Sequence, residues 1–427
     1  MKVAFCTLGC KVNQYESQSM EQALIKRGFE CVGASEEADV YIVNSCTVTA
    51  ERDRKTRQNV RHLRKLHPDA VIVLTGCMPQ AFPEDARLLT QADIVTGNRS
   101  NKQIPDMIDE FFRTRERIVR IAQHENGEKF SGELINDFRE RTRATVKIED
   151  GCNRFCSYCV IPYARGRVRS KPLEDIREEI SSLEKKGFSE IVLVGINLSA
   201  YGTDCGASIC DAVELAASFD GIKRVRLGSL EPDHMTPDVT KRLAECKKLC
   251  PQFHISLQSG CDKTLKRMNR HYTVAEYEEL CTRLRSEFED TTLTTDVMVG
   301  FSGETKEDFE ISRDFVKKIG FEKVHVFPYS RRTGTRAAEF PDVVENAEKE
   351  RRSREMIAAA GEVRHEFLER QIGRTVEVLF EEKLRDGSIQ GYTANYTPVR
   401  IKSGCTHGLR KVKITACGDD WCEGELI

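Results

Sequence analysis

Residues 149–167 read EDGCNRFCSYCVIPYARGR and place three cysteines within eight positions, at Cys152, Cys156 and Cys159. A structural zinc site is tetrahedral and needs four ligands, which three thiolates do not supply. Cysteine thiolates are also the usual ligands of iron–sulfur clusters. The C-x3-C-x2-C spacing therefore predicts a [4Fe–4S] cluster in which one iron carries no protein ligand and stays open for a substrate.

The segment ATVKIED leads into this loop and begins a series of strand-like segments that alternate with helical stretches. The later strand-like segments read EIVLVG, RVRLGS, FHISLQS, TLTTDVMVG and KVHVFPY. Six such units predict an α/β fold with a partial (β/α)6 barrel. The cysteine loop follows the first strand, at the carboxyl face where barrel enzymes place their chemistry.

The first third of the chain alternates in the same way and predicts a separate parallel α/β domain. Cys10 follows its first strand, Cys46 ends the second, and Cys77 follows the third. Because ligands bind at the carboxyl edge of open parallel sheets, we expect these three thiols to meet there. They form a second trio that is suited to a [4Fe–4S] cluster with one open iron.

After Gly373 the sequence changes to short strands separated by Gly and Asn turns, which is typical of a small closed β-barrel. A charged helical stretch precedes this module. The expected organisation is an N-terminal α/β domain over 1–120, a linker over 121–142, the barrel over 143–335, a connecting helix over 336–370 and the β-module over 371–427.

The composition is that of an ordinary globular protein of 427 residues with a net charge of −2, so any nucleic-acid site must be a local patch. We expect no membrane span and no signal peptide, and hence a cytoplasmic protein with reduced thiols. Its 17 cysteines then indicate metal binding or catalysis rather than disulfides. A zinc site completed by His254 or His234 is the alternative for the barrel trio.

Four motifs together carry a resemblance to a known family. They are TLGCKVNQYES, VNSCTVT, LTGCMPQ and GCNRFCSYCVIPYARGR. The last resembles the cluster loop of the radical S-adenosylmethionine (SAM) enzymes, and all four resemble the methylthiotransferases within them. The flanks are most similar to the type that acts on threonylcarbamoyladenosine in tRNA, and the resemblance spans the whole chain, with a TRAM-like β-module at the end.

The resemblance implies two [4Fe–4S] clusters, SAM as cofactor and a transferase that modifies tRNA. The cluster on Cys152, Cys156 and Cys159 would bind SAM and support its cleavage to a 5′-deoxyadenosyl radical. The cluster on Cys10, Cys46 and Cys77 would supply sulfur, and a second SAM the methyl group. The product would be a 2-methylthio adenosine beside the anticodon, and the electron donor a flavodoxin or ferredoxin.

Other strand ends of the barrel carry glycines and polar residues that we expect to contact SAM. Glycines permit close backbone approach, and polar side chains there can reach the cofactor, although both also form turns and helix caps. The candidates are Gly195, Asn197, Ser229, Glu231, Gln258, Ser259, Gly300 and Gly303.

Three basic segments are candidates for phosphate binding. The helix over residues 51–67 has seven Lys or Arg against two acids. Arg165, Arg167 and Arg169 come just past the cysteine loop, and Arg331, Arg332 and Arg336 follow the last strand of the barrel. The β-module has eight basic and eight acidic residues, with Tyr392, Tyr396 and Trp421 as stacking surfaces.

Several alternatives stay open on the sequence. Related methylthiotransferases act on isopentenyl-type adenosine in tRNA or on an aspartate of a ribosomal protein. A non-enzymatic iron–sulfur protein would bind RNA or carry electrons without consuming SAM. A zinc-stabilised structural protein would contain stoichiometric zinc and no iron.

Overall fold

The computed structural model describes residues 1–132, 134–135, 142–402 and 408–427. They form a parallel α/β sheet, an open barrel of parallel strands and a closed β-barrel, in chain order. The expected linker lies partly outside the described residues, at 133 and 136–141, and so does part of the β-module, at 403–407. Among the described residues, no helix combines the length and the apolar content needed to cross a bilayer.

The N-terminal domain alternates strands and helices from its first residues. Its elements are β1 (Lys2–Thr7), α1 (Lys11–Lys26), β2 (Glu30–Val32), β3 (Val40–Ser45), α2 (Ala50–Leu66), β4 (Val71–Gly76), α3 (Cys77–Ala81), α4 (Pro83–Arg87), β5 (Ile94–Thr96), α5 (Ile104–Thr114) and β6 (Ile118–Arg120).

The six strands form one parallel sheet in the order β2-β1-β3-β4-β5-β6. Both β3 and β4 are buried along their whole length, as expected for central strands covered by helices on both faces. Alternate residues face opposite layers, so Ile42 and Val73 pack in one apolar cluster while Val43 and Leu74 pack in the other. This order makes β1, β3 and β4 neighbours and brings their carboxyl ends together.

The barrel domain begins after the linker. Its elements are β7 (Arg143–Lys147), β8 (Glu149–Asp150), α6 (Ile161–Arg165), β9 (Arg169–Ser170), α7 (Leu173–Lys185), β10 (Glu190–Val194), α8 (Ile209–Ala217), β11 (Arg224–Leu227), β12 (Ser229–Leu230), α9 (Pro237–Ala244), β13 (Gln252–Ile255), α10 (Asp262–Arg267), α11 (Val274–Glu287), β14 (Thr292–Val299), α12 (Lys306–Ile319) and β15 (Lys323–Pro328).

The parallel strands run in two sheets, β7-β10-β11 and β12-β13-β14-β15, which are separated by Gly228 at the break between β11 and β12. Counted as one interrupted strand, β11 and β12 complete a six-stranded open barrel. Sequence signals define its helices well. Helix α12 begins with a capping box between Thr305 and Asp308 and ends at Gly320, whose φ of 69° is left-handed.

A 24-residue helix leads to the C-terminal module. The elements are α13 (Asn346–Glu369), β16 (Thr375–Lys383), β17 (Ile389–Thr393), β18 (Pro398–Ile401), β19 (Gly408–Cys417) and β20 (Cys422–Leu426). The five strands close in the order β16-β17-β18-β20-β19. The parallel pairing of β18 with β20, through Val399 and Cys422, completes the circle.

The predicted parallel α/β organisation and the closed C-terminal barrel are confirmed. The sequence patterns missed β2 and β6, the three-residue edge strands of the N-terminal sheet, the two-residue strand β9, and β20, the last strand of the closed barrel. The predicted strand SIQGYTANYTPVRI is two strands joined by a turn that contains Tyr396 with a positive φ of 66°. Short edge strands and such turns carry little periodicity, which explains why the patterns did not reveal them.

Candidate active site

The first cysteine trio lies at the carboxyl edge of the N-terminal sheet. Cys10 precedes α1, Cys46 follows β3, and Cys77 is the first residue of α3 directly after β4. The side-chain oxygen of Asn13 is 3.8 Å from the Cys10 sulfur and 3.9 Å from the Cys77 sulfur. A Cβ at Gly9 would stand 3.2 Å from the Cys46 sulfur. The structure therefore brings the three thiols together around one point.

Helix α1 supplies the side chains that organise this trio. Cys10, Asn13 and Glu16 are spaced by three residues and share one helix face. The Asn13 amide donates to the carbonyls of Leu8 at 2.9 Å and Ser45 at 2.8 Å, which ties the ends of β1 and β3 together. The i, i+3 spacing in CKVNQYE is the signal by which Asn13 and Glu16 could have been found from the sequence.

The second trio lies in the loop between β8 and α6. The Cys159 N–H donates to the Cys156 carbonyl at 2.9 Å, and the Cys152 N–H donates to the Gly166 carbonyl at 3.0 Å. Ser157 anchors the loop to the end of α10, because its N–H donates to Met268 O at 2.9 Å. These backbone contacts hold the three cysteines of the loop in one turn.

Both trios have the donor chemistry that an iron–sulfur cluster needs. Burial raises the pKa of the Cys77 and Cys152 thiols to about 12, and it also raises the pKa of Cys46 and Cys159. Such thiols are protonated in the apoprotein, and bound irons convert them to thiolates. Three thiols on a four-iron cluster leave one iron without a protein ligand, so the residues present fit the expected clusters.

The described residues contain no group of three or more His, Cys, Asp and Glu side chains that could hold a metal ion. A four-iron cluster places its cysteine ligands on separate irons, so their sulfurs stand further apart than the ligands of one zinc ion. His254, proposed as a zinc ligand, instead contacts Thr294 at 3.0 Å and Asp296 at 3.4 Å. The structure gives the zinc alternative no support.

Arg165 connects the two trios. It is the last residue of α6, which begins two residues after Cys159, and its side chain is fully buried. Its Nε donates to the Cys77 sulfur at 3.2 Å, its Nη2 donates to Asn13 Oδ1 at 2.8 Å, and both terminal nitrogens pair with Glu16. One guanidinium thus reaches from the barrel loop into the other cysteine site.

Glu16 belongs to a buried ion network between the two domains. Burial alone would raise the pKa of Glu16, but the charges of Arg165 and Lys147 hold it below its usual value. Lys147 is 2.8 Å from Glu16 and 2.7 Å from Asp150. Because each charge has an opposite partner, the network joins α1 to the start of the barrel without leaving an isolated buried ion.

Glu231 and Arg270 flank the barrel trio. Arg270 Nη1 is 3.3 Å from the Cys156 sulfur, and Arg270 Nη2 lies 2.5 Å from the Glu231 carboxylate. Arg270 was not among the sequence candidates, because nothing in its local pattern distinguishes it from other surface-type arginines. The arrangement places a predicted SAM contact, Glu231, beside the cysteine loop with its carboxylate fixed by an arginine.

The structure places the other predicted SAM positions either at a cavity between the domains or in contacts within the barrel. Gly195 and Ser229 line the cavity described below, while the Asn197 N–H donates to Glu149 Oε2 at 2.7 Å beside the cysteine loop. Gln258 has a positive φ of 65° and pairs with β14 through both its N–H and its carbonyl, so its backbone serves as a sheet contact.

Three further predicted SAM positions, Ser259, Gly300 and Gly303, have structural contacts within the protein. The fully buried Ser259 hydroxyl accepts the Cys261 N–H at 3.3 Å. Gly300 and Gly303 have φ values of 68° and 79°, and added side chains would meet Lys349 and Arg267. The structure thus shows turn and packing contacts for these three, and their contact with SAM stays a prediction.

A cavity of about 880 Å³ lies where all three domains meet, and we call it the interdomain cavity. The N-terminal domain contributes Cys10 and Lys11, the barrel contributes strand-end residues, and the β-module contributes aromatic rings. Its wall includes Gly195, Ser229, His254, His325, Tyr392 and Tyr396. The size and mixed lining suit a nucleotide-sized ligand, and the position of Cys10 opens the first trio to it.

The three basic segments were expected from the sequence to bind phosphates at the surface. That expectation is wrong for Arg165, Arg169 and Arg332, which are buried and paired inside the protein. Arg332 bonds Asp53 at 2.6 Å and Thr47 at 2.7 Å, which joins the barrel to α2. Arg167, Arg331 and Arg336 are exposed, whereas Arg57 and Arg64 of α2 are half-buried. The exposed basic side chains of α2 are Arg52, Arg54, Lys55, Arg61 and Lys65.

The chain matches two known protein families. Residues 146–316 match the radical SAM superfamily, and residues 2–97 match the uncharacterized protein family UPF0004. In its fold it is similar to a radical S-adenosylmethionine methyltransferase, TsrM, from Kitasatospora setae, with a TM-score of 0.56 and 14% identity over 77% of this chain and 74% of that chain.

Several curated proteins are similar over nearly the full length. Threonylcarbamoyladenosine tRNA methylthiotransferase MtaB of Bacillus subtilis is 35% identical over 100% of this chain and 96% of its own. The MtaB protein of Thermotoga maritima is 37% identical over 99% and 96%. A tRNA-2-methylthio-N(6)-dimethylallyladenosine synthase of Pelotomaculum thermopropionicum is 35% identical over 91% and 88%.

Proposed function

The chain belongs to the radical SAM tRNA methylthiotransferases, and from this premise we propose that it converts N6-threonylcarbamoyladenosine beside the anticodon of tRNA to its 2-methylthio derivative. The enzyme transfers a methylthio group and uses SAM and [4Fe–4S] clusters. The threonylcarbamoyl substrate is supported by the MtaB relatives, which are 35% and 37% identical over 99–100% of this chain. Dimethylallyladenosine synthases also match 99% of this chain, at 32–36% identity, so the experiment below decides between the two N6 substituents.

The observation that carries the proposal is the placement of the first cysteine trio, which reaches the interdomain cavity through Cys10 and contacts, through Cys77, the buried Arg165 of the helix that follows the second trio. We assign Cys152, Cys156 and Cys159 to the SAM-binding cluster, and Cys10, Cys46 and Cys77 to the cluster that supplies sulfur. When bound, these groups supply the one-electron chemistry, the sulfur and the methyl group. Arg165 would set the separation of the two sites, because it bonds Cys77 from the helix that follows Cys159.

The residues around the sites have distinct proposed roles. Glu231, fixed by Arg270, would accept hydrogen bonds from the ribose of SAM beside the cysteine loop. Gly195 would allow close approach at the cavity wall, where a side chain would collide with Glu149. The interdomain cavity would hold the target adenosine and exclude water during the reaction. A tRNA substrate places the reaction in the cytoplasm, with a flavodoxin or ferredoxin as electron donor.

The proposal is tested with anaerobically reconstituted protein, reductant, SAM and tRNA that carries threonylcarbamoyladenosine. We expect about eight irons per chain, formation of 5′-deoxyadenosine and a tRNA nucleoside heavier by a methylthio group. Cys156→Ala should abolish SAM cleavage. Cys46→Ala should retain cleavage and lose thiolation, whereas Cys205→Ala, at an exposed cysteine outside both trios, should behave like wild type.

The outcomes separate the alternatives. Methylthiolation of isopentenyl-type adenosine alone would replace the proposed substrate with that of the dimethylallyl relatives. Binding of tRNA without SAM consumption would favour a non-enzymatic iron–sulfur protein. Normal thiolation by Cys46→Ala would show that the second cluster assignment is wrong.

A further inference from the structure

Lys11 is the one cation of the N-terminal domain that lines the interdomain cavity among the described residues. It follows Cys10 directly and is the first residue of α1. Its side chain is exposed, and none of the described residues forms a hydrogen bond or ion pair with it. A free ammonium group therefore stands next to the cysteine trio that supplies sulfur.

The position of Lys11 is electrostatically unfavourable in the protein alone. The amino end of a helix carries partial positive charge, which favours acids and disfavours cations. Helix α2 follows this rule with Glu51 and Asp53 in its first turn, but α1 has no acid there. The Lys11 ammonium and the amino end of α1 thus present positive charge to the cavity from the same place. A bound anion would reduce the repulsion between them.

The surroundings of Lys11 add further positive charge. Its electrostatic neighbours include Arg143 and Arg226, whose guanidinium groups stand 5.2 Å and 4.7 Å from the centre of the Tyr396 ring. Glu190, almost fully buried, is shared by both arginines, at 3.7 Å from Arg143 and 3.0 Å from Arg226.

The nearby charges do not cancel. The cations are Lys11, Arg143, Arg224 and Arg226, and the carboxylates paired with these arginines among the described residues are Glu190, Glu381 and Glu377. The cavity wall itself adds the cations Lys323, Arg364 and Arg400 and the carboxylates Asp296, Glu322 and Asp420, so across both sets the cations exceed the carboxylates by one. Each of the three arginines is paired with a carboxylate, whereas Lys11 is not within the described part of the chain, so the cavity is suited to one added carboxylate beside Lys11.

We propose that Lys11 binds the carboxylate of the substituent on N6 of the target adenosine and so selects threonylcarbamoyladenosine over the isopentenyl type. The assignment rests on the proposed function. In adenine, C2 and C6 both flank N1, so the group attached at C6 lies along the same edge as the carbon that receives sulfur. A cation beside Cys10 is therefore in the right neighbourhood for that group.

Selection follows from what each substituent offers to Lys11. A threonylcarbamoyl group carries a carboxylate that pairs with the ammonium, and the pair gains strength in a partly enclosed cavity. An isopentenyl group is apolar and would cover Lys11 without giving it a partner. Sites built around a polar partner discriminate strongly against analogues that lack it, because the site's own charge is then left unpaired.

The test uses cluster-loaded protein without reductant and three labelled anticodon stem–loops. One carries threonylcarbamoyladenosine, one its methyl ester, and one unmodified adenosine. Wild type should bind the free acid about 10- to 100-fold more tightly than the ester, as expected for a charged hydrogen bond. Lys11→Gln should bind the two equally, and Lys11→Arg should retain most of the preference.

Matched variants exclude general effects of charge. Lys26→Gln removes a lysine from the last turn of the same helix, far from the cavity end, and should keep the full preference. Lys323→Gln removes another lysine that lines the cavity, from the start of β15. Iron content equal to that of wild type shows that Lys11→Gln is folded and loaded. In turnover, Lys11→Gln should raise KM for the acid substrate more than it lowers kcat.

The outcomes are distinct from those for the proposed function. If wild type thiolates threonylcarbamoyladenosine and Lys11→Gln keeps the preference for the acid over the ester, the role of Lys11 is refuted while the function stands. Loss of the preference in Lys323→Gln alone would move the carboxylate to the barrel wall and overturn the assignment. If wild type thiolates only isopentenyl-type adenosine, both the proposed substrate and the role of Lys11 are wrong.

Discussion

Replacing Arg165 by Gln removes one partner of a buried ion pair and tests whether it holds the N-terminal domain on the barrel. Arg165 is fully buried and pairs with Glu16, Asn13 and Cys77. Leaving one member of a buried pair without its partner costs about 3–5 kcal/mol. Because Lys147 remains 2.8 Å from Glu16, we expect a value near the lower end, about 3 kcal/mol.

A multidomain protein does not unfold in a single step, so the loss is best measured locally by hydrogen exchange of the α1 amides. A cost of about 3 kcal/mol corresponds to exchange faster by about a hundredfold. The double variant Glu16→Gln with Arg165→Gln should be less affected than the sum of the single variants, because it leaves no unpaired charge. Arg165→Lys keeps the charge and should fall between wild type and Arg165→Gln.

The same network predicts a pH dependence. Because Arg165 and Lys147 hold the pKa of Glu16 below its usual value, the stabilisation is present above pH 4.5 and is lost as the pH falls toward the lowered pKa. Arg165→Gln should weaken this loss. If the α1 amides of Arg165→Gln exchange within about threefold of wild type at neutral pH, Lys147 alone satisfies Glu16 and Arg165 does not hold the interface.

Three further predictions address the cysteine sites and the RNA surface. Gly9→Ala would place a Cβ 2.8 Å from that of Cys46 at a φ of 120°, so we expect about half of the iron to be lost while SAM cleavage persists, as measured by iron analysis and product assay. Lys55→Glu with Arg61→Glu, on the exposed face of α2, should weaken tRNA binding and lower the slope of log K against log salt by about 2, whereas unchanged binding would remove α2 from the tRNA surface. Burial raises the pKa of Glu149 well above its usual value, so stability falls as the pH rises from 4.5 toward the raised pKa. Glu149→Gln should abolish that fall in thermal unfolding, and an unchanged pH profile would show that folding does not raise the pKa of Glu149.

The convergence of Cys10, Cys46 and Cys77 was predictable because strand order is strongly constrained in parallel sheets. Each cysteine follows a strand, and neighbouring strands of one sheet end at the same edge. The same rule placed Gly195 and Ser229 at the cavity wall. Such predictions succeed where a periodic sequence pattern identifies a strand, because the end of that strand then determines where the following residue lies.

The contacts of long side chains were not predictable in this way. Arg165 and Arg332 lie in basic segments that read as phosphate-binding surfaces, yet both reach inward to carboxylates of the N-terminal domain. Their partners are separated from them by about 150 and 280 residues in sequence, so no local pattern reveals the pairing. Gly300 and Gly303 have positive φ angles that their turns require. The sequence alone does not distinguish such a glycine from one that makes room for a ligand.

The five-residue helix α6 sets a condition for building chimeras from this family. A graft that replaces the first 120 residues with those of another protein also replaces Asn13, Glu16 and Cys77, while Arg165 and Lys147 stay with the recipient barrel. The two basic groups would then share only Asp150 as a buried partner among the described residues of the barrel, unless the donor brings matching acceptors. A foreign N-terminal domain should therefore keep α1 of this chain, or be placed on a recipient barrel in which Arg165 and Lys147 have been made neutral.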